Sequence, residues 1–369
     1  MKPRHPPIHT RPPRIERAEF SPERRVLAVS DVHGNLPYLK GLLEKVRFSA
    51  DDILVIAGDL LEKGRYSLDT LRYVTALSKT HEVRLLPGNC DWWIGILYEM
   101  NRPDITVGYL CQQPQSLLAQ MCAELGVEVR PDMDLYAARD AAAARYKDEF
   151  DFLRAAPEIL ETPEFTFVHG GLPAGDPAGW EAWQCMKYDD FLHCGRRFDK
   201  WVITGHWPVV LYRENIVNAN PLIDRETRIV SIDGGCVLKD DGQLNALILP
   251  GDGEDFTWEY YDPFPTATVL DPQAASERSY YIRWGDAHVR VLDRGPEFSR
   301  VRHIRTGYEM DVLTKYLYGD DAECTVNDCT DYVLPLAPGD TVSIVEETSR
   351  GYFVKHRGVS GWYFGKLRK

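Results

Sequence analysis

At 369 residues the chain exceeds one comfortable hydrophobic core, so two or three structural units are expected. Hydrophobic residues at 44% and charged residues at 27% match ordinary globular usage. A mean hydropathy of −0.34 and the lack of a long apolar run argue against a membrane-spanning helix, and the net charge of −13 argues against direct binding of a nucleic-acid backbone.

The first 25 residues carry seven Lys/Arg against three Glu, leaving −17 for the remainder. Residues 1–24 therefore read as a basic, proline-rich arm. Met1 to Phe20 offers no continuous apolar stretch of the secretory kind, so a cytoplasmic protein is expected. From residue 25 to 261, the runs VLAVS (26–30), ILVIA (53–57), VRLL (83–86), FTFV (165–168), WVIT (201–204), IVSI (229–232) and NALIL (245–249) read as short buried strands. Leu39, Leu42, Leu43 and Val46, and then Leu68, Leu71, Val74 and Leu77, fall at helical spacing between the first three of them. A layered α/β core follows from that alternation, with residues 92–164 as a mainly helical insertion in which Tyr146, Phe150 and Leu153 share a face. Residues 262–279, with three prolines and little periodicity, read as a linker. Residues 280–369 return to short alternating β segments and predict a small β domain.

The eight cysteines, at 90, 111, 122, 185, 194, 236, 324 and 329, form no CxxC pair and show no even spacing, so reduced thiols are expected. Polar residues of metal-ligand type follow nearly every predicted strand: Asp31-Val32-His33-Gly34-Asn35, Gly58-Asp59, Gly88-Asn89-Cys90-Asp91, His169-Gly170-Gly171 and Gly205-His206. Ligands bind beyond the carboxyl ends of strands in open α/β sheets, so these loops should converge. Each residue alone has an ordinary structural use as a helix cap, a turn former or a hydrogen-bonded core histidine. Together, three histidines, two aspartates and an asparagine make a mixed N/O donor set suited to Mn, Fe or Zn.

In this order, DVHGN, GDLLEKG, GNCD, VHGG and TGHWP resemble the calcineurin-like binuclear metallophosphoesterases. HGGL and SIDGGCV tilt the resemblance towards the branch of phosphoprotein phosphatases and dinucleoside tetraphosphatases. It covers roughly residues 25–260 and implies a four-layer α-β-β-α sandwich with two divalent transition metal ions. By that resemblance Asp31 and His33 hold the first ion, Asp59 bridges both, and Asn89, His169 and His206 hold the second, with hydroxide between the ions attacking a phosphate ester or anhydride. The ending GYFVKHRGVSGWYFGKL resembles the last strands of bacterial SH3-like barrels.

Two positions depart from the family pattern. Cys90 stands where many of these phosphatases have a histidine that protonates the leaving group, and Glu62-Lys63 stands where they have Asp-Arg. Cys90 is either a misfit proton donor or a small packing residue. Asp91 and Glu62 are further candidates for the catalytic apparatus, and Lys63, Arg196 and Arg197 for phosphate binding. Tryptophans 92, 93, 180, 183, 201 and 207 bracket the motifs and either stack a base, line a groove or fill the core. The expected function is phosphoprotein phosphatase-like hydrolysis, with a phosphodiesterase or dinucleoside polyphosphate hydrolase as the alternative. Substrates would be phosphorylated small molecules, nucleotides or phosphoproteins. A reading of another class is a weakly active, metal-stabilised scaffold whose C-terminal barrel binds a protein partner.

Overall fold

A computed structural model describes residues 10–92, 103–249 and 255–369. The chain divides into two compact units, the first made of Met1–Pro208, Pro221–Leu238 and Gln243–Tyr261, the second of Val209–Asn220, Lys239–Gly242 and Asp262–Lys369.

In the first unit the chain runs through β1 (Ile15–Arg17), β2 (Val26–Val29), α1 (Leu36–Lys45), β3 (Ile53–Ala57), α2 (Ser67–Leu77) and β4 (Glu82–Leu86). Among the described residues, four helices follow (Pro103–Gln112, Leu117–Glu124, Leu135–Arg145 and Lys147–Ala155), then β5 (Ile159–Glu161), β6 (Phe165–Val168) and β7 (Trp201–Thr204). β2, β3 and β4 are parallel neighbours, because α1 and α2 return the chain to the same edge each time. Strands Leu244–Ile248 and Thr257–Tyr261 extend that sheet beyond β2. The second sheet has the order β1, β5, β6, β7, Ile229–Ser231, Leu222–Asp224.

Strands β2 and β3 are apolar at every position because both of their faces are buried. Val26, Ala28, Ile53 and Val55 pack against Phe165, Phe167, Trp201, Ile203 and Val230 of the other sheet. Leu27, Val29, Leu54 and Ile56 pack on the opposite side against α1, α2 and the inserted helices, through Leu39, Leu42, Leu71, Val74, Met121 and Phe150. The result is a mixed α/β arrangement of two sheets sharing one core, with helices over the outer face of one of them.

Three segments differ from the sequence expectation. The part of the basic arm within the described residues contributes β1, which pairs in parallel with β5. Its sequence Ile-Glu-Arg carries almost no apolar signal because the strand lies at a sheet edge. Arg11 fixes this segment with hydrogen bonds of 2.7 and 3.0 Å to the fully buried Glu158, which also accepts the Arg14 amide at 2.7 Å. The insertion is helical as expected over its described part but closes on β5, and its residues 93–102, with Trp93, lie outside the described residues. The third difference is in 262–279, where Thr266–Val269 is a strand paired with Thr341–Thr348 and Val269 is fully buried. Its prolines flank the strand and hide the pattern.

The second unit holds two β cores where the sequence suggested one domain. Ile282, Val289, Val301, Met310, Val312 and Val326 form one. Val269, Tyr332, Leu334, Leu336, Val342, Val354 and Tyr363 form the other. The sheet over this second core also takes in Val217–Asn218, which pairs with Val359–Ser360. Removing Asp262–Lys369 therefore strips the buried Val217 and Ala219 of their partners. The shortened chain is expected to aggregate, or to melt below the full chain in a circular-dichroism scan, whereas unchanged melting would show that the segment needs no β partner.

Candidate metal centre

The loops after β2, β3, β4, β6 and β7 meet at one end of the two sheets, joined by backbone hydrogen bonds. Asp31 N–H donates to Gly58 O at 3.0 Å, His33 N–H to Asp59 O at 2.9 Å, and Gly205 N–H to His169 O at 2.9 Å. Asp31, His33, Asp59 and His206 all have positive φ, between 49° and 67°. Four non-glycine residues in the left-handed region cost of order 1–3 kcal/mol each. Such strain persists only where surrounding structure enforces it, and here it turns four polar side chains into one buried space.

Asp59 is at the centre. Its Oδ1 accepts the Cys90 amide at 2.8 Å and lies 3.3 Å from His169 Nε2, and its Oδ2 lies 3.7 Å from His33 Nε2. The His33 Nε2 is also 3.8 Å from Asp31 Oδ1. The rings of His169 and His206 are 5.3 Å apart. Donor atoms of Asp59, His169 and His206 form one group in which each is within 4.8 Å of the others, and those of His33, Asp59 and Cys90 form a second. The two groups share Asp59.

The chemistry of the donor set fits cations. Asp31 Oδ1, His33 Nε2, Asn89 Oδ1 and His169 Nε2 are buried without a hydrogen-bond partner, which is costly unless something else occupies them. The far side of two rings is already fixed: His169 Nδ1 donates to Ala57 O at 2.9 Å, and His206 Nε2 is 2.8 Å from Asp189 Oδ1. Ligating histidines are held in this way by a carbonyl or carboxylate behind the ring.

Electrostatics carry the same sign. Burial, and then the charges of Asp233 and Asp59, push the Asp31 carboxyl well above the usual range. For Asp59, burial alone would raise the pKa, but His169 and His33 and the Cys90 amide more than offset it and hold the group low. His169 is pulled up to about 10, burial being overcome by Asp59 and Asp31. Burial lowers His206 to about 4 despite Asp189. Burial and Asp59 push the Cys90 thiol well up.

The other expected site residues are placed differently. Asp91 accepts the amides of Leu61, Gly88 and Leu60 at 2.9, 3.0 and 3.1 Å, so it locks the loops after β3 and β4 together. Burial and Asp59 nevertheless raise it to about 7. Glu62 turns to the inserted helices, accepting Tyr109 O–H at 2.8 Å and the Leu117 amide at 2.9 Å. Glu62, a candidate for the catalytic apparatus in the sequence, is therefore an anchor in the fold, because both of its oxygens are committed. Lys63 is exposed at the turn beside it, and its charge is felt at His33 and Cys90. Arg196 departs from its expected role: its guanidinium donates to the carbonyls of Leu172 and Pro173 and lies over Phe191 and Phe198, which pins a loop. Arg197 is exposed. Trp92 and Trp201 are buried in the core.

Sequence reasoning missed Asp189, Lys187 and Asp233. Lys187 Nζ is 3.1 Å from His206 Nε2 and supplies a cation where the arginines were sought. Lys187 and Asp189 come from an irregular loop with no periodicity to reveal it, whereas Asp233 follows the strand Ile229–Ser231 and repeats the strand-end pattern.

A family model of the calcineurin-like phosphoesterases matches residues 24–223. The chain belongs to this family. It is similar to the symmetrical bis(5'-nucleosyl)-tetraphosphatase of Salmonella paratyphi C, 32% identical over 173 residues that cover 41% of this chain and 56% of the relative. The chain thus spans little more than half the length of that curated relative. Among solved structures it is similar to a metallophosphoesterase from Sphaerobacter thermophilus, with 16% identity and a TM-score of 0.36 over 65% of this chain and 88% of the other. It is also similar to a protein serine/threonine phosphatase from Saccharomyces cerevisiae, with 11% identity and a TM-score of 0.41 over 69% and 85%.

Gly88 gives a direct test of how tightly the centre is built. A Cβ there would sit 2.0 Å from Asp59 Oδ1 and 2.3 Å from the Asp59 amide. Gly88→Ala must displace the central carboxylate, at an expected cost of about 1–3 kcal/mol from overpacking. Metal content by elemental analysis should fall together with the melting temperature, and full metal content in a stable variant would mean that the loop relaxes freely.

Proposed function

We propose that the chain is a metal-dependent phosphoesterase that hydrolyses a phosphate ester or anhydride. The observation that carries the reading is the set of buried donor atoms gathered around Asp59, of which Asp31 Oδ1, His33 Nε2, Asn89 Oδ1 and His169 Nε2 have no hydrogen-bond partner. Asp31 and His33 would hold one divalent cation, Asn89, His169 and His206 a second, and Asp59 would serve both. Mn, Fe and Zn suit this donor set. Two such cations supply Lewis acidity, lowering the pKa of water and drawing charge from a phosphoryl oxygen.

The chain's own residues do the rest. Ala57 O and Asp189 hold the His169 and His206 rings in one orientation. Lys63 and Lys187 attract the anionic substrate and favour charge on its phosphoryl oxygens. Asp91 keeps the loop of Asn89 and Cys90 in register with that of Asp59. Position 90, where the resemblance puts an imidazole that protonates the leaving group, is cysteine. This favours substrates whose leaving group departs readily, such as anhydrides, diesters and aryl esters. The curated relatives are tetraphosphatases by name, which makes dinucleoside polyphosphates the first substrates to test. Phosphoproteins are the second class, supported by the HGGL and SIDGGCV blocks.

The same reading assigns the catalytic role to residues 25–261, completes their two sheets and helices as a four-layer sandwich, and takes the final residues as a small SH3-like barrel. The shared core of the two sheets supports the first assignment, and the core around Val354 and Tyr363 the second.

Two variants test the function. Asp59→Asn should remove turnover of dinucleoside polyphosphates and aryl phosphates almost wholly and lower bound metal from near two per chain. Normal turnover with both metals retained would overturn the assignment. Cys90→His should raise rates on alkyl phosphomonoesters selectively. General acid catalysis contributes roughly 10²–10⁴-fold, and the gain should fall well short of that because Glu62 is committed elsewhere and does not orient the new ring. If the unaltered protein cleaves phosphoserine peptides as fast as aryl phosphates, another group supplies the proton.

A further inference from the structure

The Cys90 thiol has no use in the fold or in the function proposed above. The backbone of Cys90 is pinned, since its amide donates to Asp59 Oδ1 at 2.8 Å. Its Sγ belongs to the group of donor atoms, with a His33 nitrogen and an Asp59 oxygen, that lie within 4.8 Å of one another. Three donors at that separation can close on one ion with small side-chain movements. The Asn89 Nδ2 donates to Sγ at 3.3 Å, which sets a lone pair of the sulfur among the polar groups of the cluster. That contact also leaves Asn89 Oδ1 buried without a partner and available as a ligand itself.

A packing role accounts poorly for this arrangement. A small apolar residue would sit among hydrocarbon, whereas the neighbours of Sγ are a carboxylate, an imidazole and an amide. The His33 ring is 1% exposed, and its Nε2, without a hydrogen-bond partner, faces the carboxylates of Asp31 and Asp59 at 3.8 and 3.7 Å, so the space beside Sγ suits a positive ion.

We propose that Cys90 Sγ is a ligand of the cation held by His33 and Asp59, which makes that half of the centre a mixed N/O/S site. The inference rests on the metal-centre reading given above and narrows it. Coordination replaces the S–H bond by a sulfur–metal bond and releases the proton to solvent. A thiolate in the donor set shifts preference towards thiophilic cations, Zn²⁺, Cd²⁺ and Co²⁺, over Mn²⁺ and Mg²⁺. The two halves of the centre then differ in softness, and a mixed pair of metals is the natural occupancy.

The test is a Co²⁺ titration of the metal-depleted full chain, followed by absorption spectroscopy. A thiolate ligand gives an intense sulfur-to-cobalt charge-transfer band in the near ultraviolet, which nitrogen and oxygen ligands do not. The expected result is such a band in the parent chain, saturating with one of the two cobalt ions, and its loss in Cys90→Ser with cobalt still bound by elemental analysis. Zn²⁺ affinity at that half should fall in Cys90→Ser by at least the roughly 10–100-fold that losing an outer-shell partner costs, with Mn²⁺ affinity changed far less. A second measurement needs no variant: Zn²⁺ should protect Cys90 of the parent from alkylation, read by peptide mass spectrometry, better than Mn²⁺ does. Cobalt bound with no sulfur band in the parent, or a band that persists in Cys90→Ser, overturns the sulfur ligand and leaves the metal centre standing. Failure to bind any divalent cation overturns both.

Discussion

A buried carboxylate organises this protein. Asp59 is 2% exposed and stands between His33 and His169, and its environment holds it ionised against the cost of burial. An ion in that position is tolerable only with compensating charge or hydrogen bonds on its oxygens. The protein supplies one amide, from Cys90, and two imidazoles. The strained backbone at Asp31, His33, Asp59 and His206, and the close approach of Gly88 and Gly205 to the aspartate carboxylates, all follow from fitting several polar side chains into one small volume.

The scaffold gives that volume its rigidity. β2 and β3 are buried on both faces, so their ends cannot shift without disturbing two hydrophobic cores at once. The loops that leave them are cross-braced by Asp91, whose carboxylate accepts three backbone amides. Glu62 extends the bracing to the inserted helices, so packing in the insertion is linked to the turn that carries Lys63. Two carboxylates that sequence spacing places beside the candidate ligands thus work as structural braces.

Much of this was legible in the sequence because its signals are local. All seven strands read from apolar runs are present, with ends shifted by one residue at most. The six ligand-type residues converge because each follows a strand by a few residues. What escaped has a physical reason. β1 and Thr266–Val269 lie at or near sheet edges or between prolines, where neither alternation nor an apolar run is needed. Asp189 and Lys187 reach the site from a loop whose path no periodicity encodes. The direction in which Glu62 and Arg196 turn is settled by tertiary partners, Leu117 and Tyr109 for the one, Leu172 and Pro173 for the other, that lie tens of residues away in the chain.

The charge distribution then constrains what can occupy the centre. Asp31 feels both Asp233 and Asp59 at close range, enough to push its own carboxyl well up, so three acidic groups share one buried region. His169 answers part of that charge by its strong preference for the protonated form, but a protonated ring has no lone pair to give. A cation held there would take the place of that proton, with His169 Nε2 as one of its ligands, and would offset the carboxylate charge. Proton and metal are therefore competitors for one electrostatic need. Because this need arises from burial within the centre itself, it is independent of the outer loops, such as the one bearing Lys187 and Asp189, and the fold can keep the same centre while those loops vary.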